Sequence, residues 1–144
     1  MLIIKIITPA GSIYDGEADR VTLPSAEGEI TVLPNHTPLV FQLMPGELVI
    51  KQSGREEPFA VSGGVGQVHS ASNGGSPVTE IVVLTNSADR AEEIDFAEAE
   101  AARKRAEEML LRKEELSDIE FSRFQAVLDR ELARVRVGNK YQRR

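Results

Sequence analysis

Short apolar runs broken by turn residues fill the first 85 positions, and a different rhythm follows them. LIIKIIT (2–8) is a β-branched run ended by Pro9. ADRVTLP (18–24) alternates in part, GEITVLP (28–34) is β-rich between Gly28 and Pro34, and ELVIKQ (47–52) follows the turn pair Pro45-Gly46. EPFAVSG (57–63) and VGQVHS (65–70) flank Gly63-Gly64, ASNGGSP (71–77) reads as a connector or hairpin tip, and TEIVVLT (79–85) closes the series. Seven or more short strands with frequent turns predict a β-sandwich or flattened barrel over residues 1–86.

The period then changes to that of helices. All seven Pro and ten of the eleven Gly lie within residues 1–77, and Gly138 is the next such residue. Without these breakers a chain can run as long helix. Asn86 or Ser87 is a candidate cap for a first helix, with Asp89, Glu92 and Glu93 in its opening turns and a body rich in Ala, Glu, Arg and Lys over 91–113. Ser117 and Glu120 form a capping box for a second helix of about 18 residues. Phe121, Phe124, Leu128, Leu132 and Val135 recur on it at spacings of three and four. The fold class is therefore β plus α, a sandwich followed by an antiparallel two-helix hairpin over 87–144, with GNKYQRR (138–144) read as a frayed end.

The hairpin's own seam looks weak. Ala99, Ala102, Ala106 and Met109 line one face of the first helix. Burying a large aliphatic side chain stabilises by roughly 1.5–3 kcal/mol and Ala by much less. An arm packed through alanines is expected to leave its docked position readily.

Composition removes several function classes. With 144 residues the chain suits one or two small domains, and without Cys it has neither disulfides nor thiolate chemistry. Net charge is −6 and pI about 5.0, which argues against nucleic acid as main partner. The N-terminal run, interrupted by Lys5 and ended by Pro9, does not read as a signal peptide, and no run approaches a membrane span. Charge is uneven: residues 117–144 hold seven basic and four acidic side chains, a basic tail on an acidic protein. Such a tail suits an acidic protein surface.

Candidate chemistry is sparse. VSGGVG (61–66) has no following Lys-Ser/Thr and sits between β-type segments, so it reads as a turn with close backbone approach, not a phosphate loop. His36, in PNHTPL (34–39), and His69 lack the nucleophile and orienting partner that a catalytic His needs. Arg123, Arg130 and Arg134 project together on the second helix, opposite its apolar stripe. That face is either solvated or a dock for carboxylate or phosphate, which the guanidinium fork fits.

These features in their order resemble the epsilon subunits of bacterial F-type ATP synthases over nearly the whole chain. The resemblance rests on SAEGEITVLPNHTPLV (25–40), PGEL (45–48), VSGGVGQV (61–68), IVVLT (81–85) and IDFAEAEAARKRAEE (94–108). It implies a sandwich of about ten strands and a helical hairpin, in a non-catalytic subunit of the rotating central stalk. Implied partners are the gamma subunit, the c-ring and the beta and alpha subunits of the catalytic head, at the cytoplasmic face of an energy-transducing membrane. Glu29 then falls at the c-ring contact, with His36 in the signature loop near it. Arg123, Arg130, Arg134 and Arg136 become candidates for an inhibitory contact with the beta subunits.

Some family members also bind regulatory ATP through an Ile/Leu-Asp-x-x-Arg-Ala motif. Here Ile94, Asp95 and Ala99 match it, Arg130 and Arg134 match the second-helix phosphate contacts, and Asp89 falls near an acidic position. Glu98, however, stands in the motif's Arg position and counts against the match; the resemblance implies no required cofactor and leaves regulatory ATP as an open expectation. The rival from a different class is a β-sandwich ligand-binding module with a helical dimerisation hairpin. A small hydrolase using His36 is a third class, and would need measurable turnover by the chain that Ala at position 36 abolishes.

Overall fold

The computed structural model describes residues 1–142. Ten strands form one hydrogen-bonded path that folds over into two layers: β1 (Leu2–Thr8), β2 (Gly11–Ala18), β3 (Arg20–Ser25), β4 (Gly28–Val32), β5 (Leu39–Leu43), β6 (Gly46–Gln52), β7 (Arg55–Val61), β8 (Gly64–Asn73), β9 (Ser76–Thr85) and β10 (Ala88–Arg90). The order is β10-β7-β6-β3-β5-β8-β9-β1-β2, with β4 branching from β3. The path turns over where Ser25 pairs with Leu43. Alternate residues of β1, Leu2, Ile4 and Ile6, then meet Val21, Leu23, Leu48, Ile50 and Phe59 across one dry core.

The expected sandwich is present, and three strands were not among the seven apolar runs. β2 (GSIYDGEA) carries Gly and acids and alternates poorly, and it is held by pairing with β1. β5 lies directly beyond Pro38 in the signature loop. β10 is three residues long. The connector at 71–77 is a hairpin tip, where Gly74 and Gly75 take positive φ between β8 and β9.

Gly63-Gly64 is a close-approach turn, as expected. A Cβ on Gly64 would overlap the Leu84 carbonyl of β9, and one on Gly66 would overlap the Phe41 ring of β5.

The helical half differs from expectation at both ends. α1 spans Phe96–Leu111, and its cap is Asp95, whose Oδ1 accepts from Glu98 N–H at 3.0 Å. Asn86 and Ser87 do not cap it, because Ala88–Arg90 add to the sheet beside β7 and Ala91–Glu93 make a 3-10 turn. Asp89 is therefore a strand residue. α2 spans Asp118–Gln142, 25 residues. Its capping box forms as read, with Glu120 N–H donating to Ser117 Oγ and the Glu120 carboxylate receiving the Ser117 N–H and hydroxyl.

Residues 138–142 are ordered helix, which corrects the expectation of a frayed end there; residues 143 and 144 lie outside the described residues. Gly138 does not stop the helix. Its missing side chain admits the Ile94 and Phe96 side chains, which a Cβ would meet at 3.5 and 3.2 Å.

Gly64→Ala should lower sandwich stability by about 1–3 kcal/mol, since backbone must shift to admit the methyl. Urea denaturation followed by far-UV dichroism measures it; an unchanged midpoint would show that β8 and β9 are not in close contact.

Candidate functional site

The helices form an antiparallel hairpin that lies folded against β6, β7 and the 3-10 turn. Two different faces of α2 are used. Of the predicted stripe, Phe124, Leu128, Leu132 and Val135 are half-buried and Phe121 is exposed, while Ala99 and Ala106 of α1 are buried and Ala102 and Met109 half-buried. Arg134, on the arginine face, meets the sandwich at Asp89. Val137 joins Ala60, Ala91, Ile94 and Ala99 in a small second core, flanked by Tyr141.

Polar contacts tie the last turns of α2 to the sandwich. The Tyr141 hydroxyl and Lys140 Nζ both donate to the Glu47 carboxylate of β6. The Gln142 amide donates to the carbonyls of Ala91 and Ile94, satisfying the 3-10 turn. Burial first, then the Glu47 carboxylate, pushes the Tyr141 hydroxyl above its ordinary value, and the hydrogen bond to Glu47 raises the Lys140 ammonium.

Glu131 is the least expected residue of the seam. It is 0% exposed. Arg130 Nε and Nη2 donate to its Oε1 at 3.1 and 2.8 Å, and Arg134 Nη1 donates to its Oε2 at 2.9 Å. Arg134 Nε stands 3.3 Å from Asp89 Oδ2, near enough for charge pairing though not aligned as a hydrogen bond. The chain Arg130–Glu131–Arg134–Asp89 thus links α2 to β10. A buried ion pair is costly to desolvate, yet removing one partner typically destabilises by about 3–5 kcal/mol. The arginine face is neither free nor simply solvated in the folded arm: Arg134 is largely covered, while Arg123, Arg130 and Arg136 remain exposed.

The candidate nucleotide set is brought together but already employed. Ile94 and Ala99 are buried in the second core, Asp95 caps α1, and Asp89, Arg130 and Arg134 belong to the ion-pair chain. Two clefts border the seam. One, of about 430 Å³, is lined by Glu56, Glu57, Arg90, Glu92, Tyr141 and Gln142; the other, of about 480 Å³, runs between Gly63-Gly64 and α2 beside Arg123 and Arg130. Neither is lined by Ile94, Asp95 or Ala99. The residues therefore do not fit a bound nucleotide: the two guanidiniums that would hold its phosphates hold Glu131, and exposed Glu98 adds an acid.

Glu29 and His36 are not neighbours. Glu29 is exposed beside the tip of the β3–β4 hairpin, opposite Pro24, whereas His36 follows the far end of β4. His36 Nδ1 is 2.7 Å from Thr37 O, and the preceding Asn35 N–H donates to Thr79 Oγ1. His69 pairs with Glu80 at 3.1 Å on the outer sheet face. Neither histidine faces a nucleophile among the described residues.

That outer face carries an apolar patch which the strand pattern did not single out. Ile7, Leu84 and Val65 are aligned across β1, β9 and β8, with Gln42 of β5 next in the row. Ile7 is 37% exposed, Leu84 51% and Val65 48%, and Val40 in the adjacent row is 68% exposed. A contiguous exposed patch of this kind marks an interaction surface.

A β-sandwich with an exposed apolar sheet face, and a helical arm docked on it through Arg134, Val137 and Tyr141, defines a two-part binding module. The family described as ATP synthase, Delta/Epsilon chain matches it in both parts, the beta-sandwich domain at residues 1–91 and the long alpha-helix domain at 92–139. The epsilon chain of Desulforamulus reducens is 37% identical over 94% of this chain and 95% of its own. That of Pelotomaculum thermopropionicum is 41% identical over 76% of each. A chain of the Euglena gracilis mitochondrial ATP synthase shares the fold, with a TM-score of 0.67 at 24% identity, covering 89% of this chain and 75% of that one. The protein belongs to the ATP synthase delta/epsilon chain family.

Gly138→Leu should wedge α2 off Ile94 and Phe96 while leaving the sandwich folded. Limited trypsin digestion should then cut α2 faster with the 1–86 core intact; an equally resistant arm would show that the Gly138 contact does not hold it.

Proposed function

We propose that this chain is a non-catalytic subunit of the ATP synthase central stalk, coupling rotation to ATP synthesis and restraining ATP hydrolysis through its helical arm. Its sandwich binds the gamma shaft and contacts the c-ring, and its arm acts on the beta and alpha subunits of the head. It works at the cytoplasmic face of the energy-transducing membrane as a peripheral protein and needs no cofactor. No helix among the described residues is long and apolar enough to cross a membrane.

The observation that carries the reading is the outer sheet face. Ile7, Leu84, Val65 and Val40 present apolar surface on the paired strands of the sandwich, as a module that must ride another subunit requires. Glu29, exposed beside the β3–β4 tip, suits the c-ring contact that the family resemblance implies, and His36 lies past the other end of β4. For the arm, one surface serves two states. Arg130 and Arg134 face internal carboxylates when it is folded. Extension separates Arg134 from Asp89 and turns it, with Arg123, Arg130 and Arg136, toward acidic segments of the head, so Arg134 serves one state at a time.

Reconstitution of the stalk and head tests both halves. Leu84→Asp should weaken incorporation on the gamma shaft by roughly tenfold or more. Arg123→Glu with Arg136→Glu should leave incorporation intact and raise ATP hydrolysis, and it spares Arg130 and Arg134, which pair with the buried Glu131. Full incorporation of the Leu84 variant would contradict the assigned gamma surface, and unchanged hydrolysis by the arginine variant would contradict the electrostatic brake.

A further inference from the structure

We propose that the cross-strand row Glu47–Ala60–Asp89 is the sandwich's own receptor for the helical arm: it fixes where α2 docks and sets how readily the arm leaves. The regulatory consequence rests on the arm acting as the proposed brake.

Ala60 of β7 stands opposite Glu47 of β6 on one side and Asp89 of β10 on the other. Cross-strand partners share a face, so two carboxylates flank a small buried residue on one side of the sheet. One stripe of α2 covers that row. Arg134 Nε stands 3.3 Å from Asp89 Oδ2, Val137 joins Ala60 in the second core, and Lys140 Nζ and the Tyr141 hydroxyl donate to Glu47. Positions 134, 137 and 141 are three and four apart, which puts them on one helical face. The lengths agree as well. Two strand spacings make about 10 Å, and seven residues of helix rise about 10 Å. A helix laid across the strands therefore meets all three in step. A slip of one turn sets Gly138 against Asp89, or Val137 against Glu47, and leaves a carboxylate without its cation.

Among the described residues, the ion pairs of Glu47 and Asp89 are with Lys140 and Arg134 alone. Arg90, beside Asp89 in the chain, lies over the Phe59 ring toward the main core and pairs with Glu57 instead. Without the arm the row carries two unmatched charges around an apolar centre. That pattern selects a helix bearing a cation, a small apolar contact and a second cation in this order.

Glu47 offers a handle on the row from outside the arm, and it lies away from the Ile7, Leu84 and Val65 patch of β1, β9 and β8. The test uses the full-length isolated chain as wild type, Glu47→Gln, Glu47→Lys, and Glu47→Lys combined with Lys140→Glu. Glu47→Lys sets two ammonium groups together, and the exchanged pair restores opposite charges across the same seam. Amide hydrogen exchange over 131–141 reads docking, while the amides of β6 and β7 report on the sandwich. Glu47→Lys should exchange at 131–141 at least about tenfold faster than wild type, with β6 and β7 unchanged. Glu47→Gln, which keeps the side chain's shape, should move the same amides in the same direction by less. The exchanged pair should recover most of the protection.

Wild-type exchange over 131–141 in either single variant would overturn the proposal, as would an exchanged pair no better protected than Glu47→Lys. In the assembled enzyme Glu47→Lys should lower ATP hydrolysis, because an arm that leaves more often brakes more often, and the exchanged pair should restore it. Hydrolysis that stays at the wild-type level while exchange shifts and recovers would contradict the brake and support the receptor row.

Discussion

A carboxylate with no access to solvent must be matched by cations at hydrogen-bond distance, and in this fold that requirement falls on Glu131. Arg130 and Arg134 meet it from the same helix, and Arg134 extends the chain to Asp89 on the sheet. Asp89 can serve because β10 extends the sheet instead of starting a helix. Of these contacts only Arg134–Asp89 crosses from the arm to the sheet, and the rest of the seam sets the arm's position with it. Val137 and Tyr141 settle against Ala60 and Ala91, Gly138 makes room for Ile94 and Phe96, and Gln142 closes the last turn over the 3-10 segment.

This attachment is uneven. Everything specific lies toward the C-terminal end of α2, while the opposite end of the hairpin leaves Leu111 and Ile119 exposed and closes over alanines. An arm held at one end can leave by losing few contacts, and the sandwich, whose core is independent of the helices, stays folded when it does. The division of labour between a rigid anchor and a conditional arm is thus written into where the large apolar side chains are. Most fill the β-sheet interior, while the seam sets alanines beside Ile94, Val137 and Tyr141 in a smaller second core.

The sandwich was legible because alternation and turn residues are local signals, as in LIIKIIT and around Gly63-Gly64. β2 and β10 were not, since their pairing depends on partners distant in sequence: β1 for the first, β7 for the second. The first helix was placed too early because acids at 89, 92 and 93 imitate a helix start, whereas Asp95 supplies the cap. The arginine face was legible as a dock, but its carboxylate was not. Glu131 looks like one more acid in a charged helix, and its signal is joint: one turn before Arg134 and seven residues before Gly138, on a side where a helical glycine marks close approach. Glu47 and Gln142 gave no local sign, because their partners lie on other elements.

Native-state amide hydrogen exchange on the intact isolated chain tests the central claim most directly. The account predicts a gradient along the hairpin, with amides of 131–141 protected far more than those of 109–124 and less than those of β6 and β7. Uniform protection across both helices, at the level of the sandwich, would contradict an arm anchored at one end, as would an unprotected C-terminal half of α2.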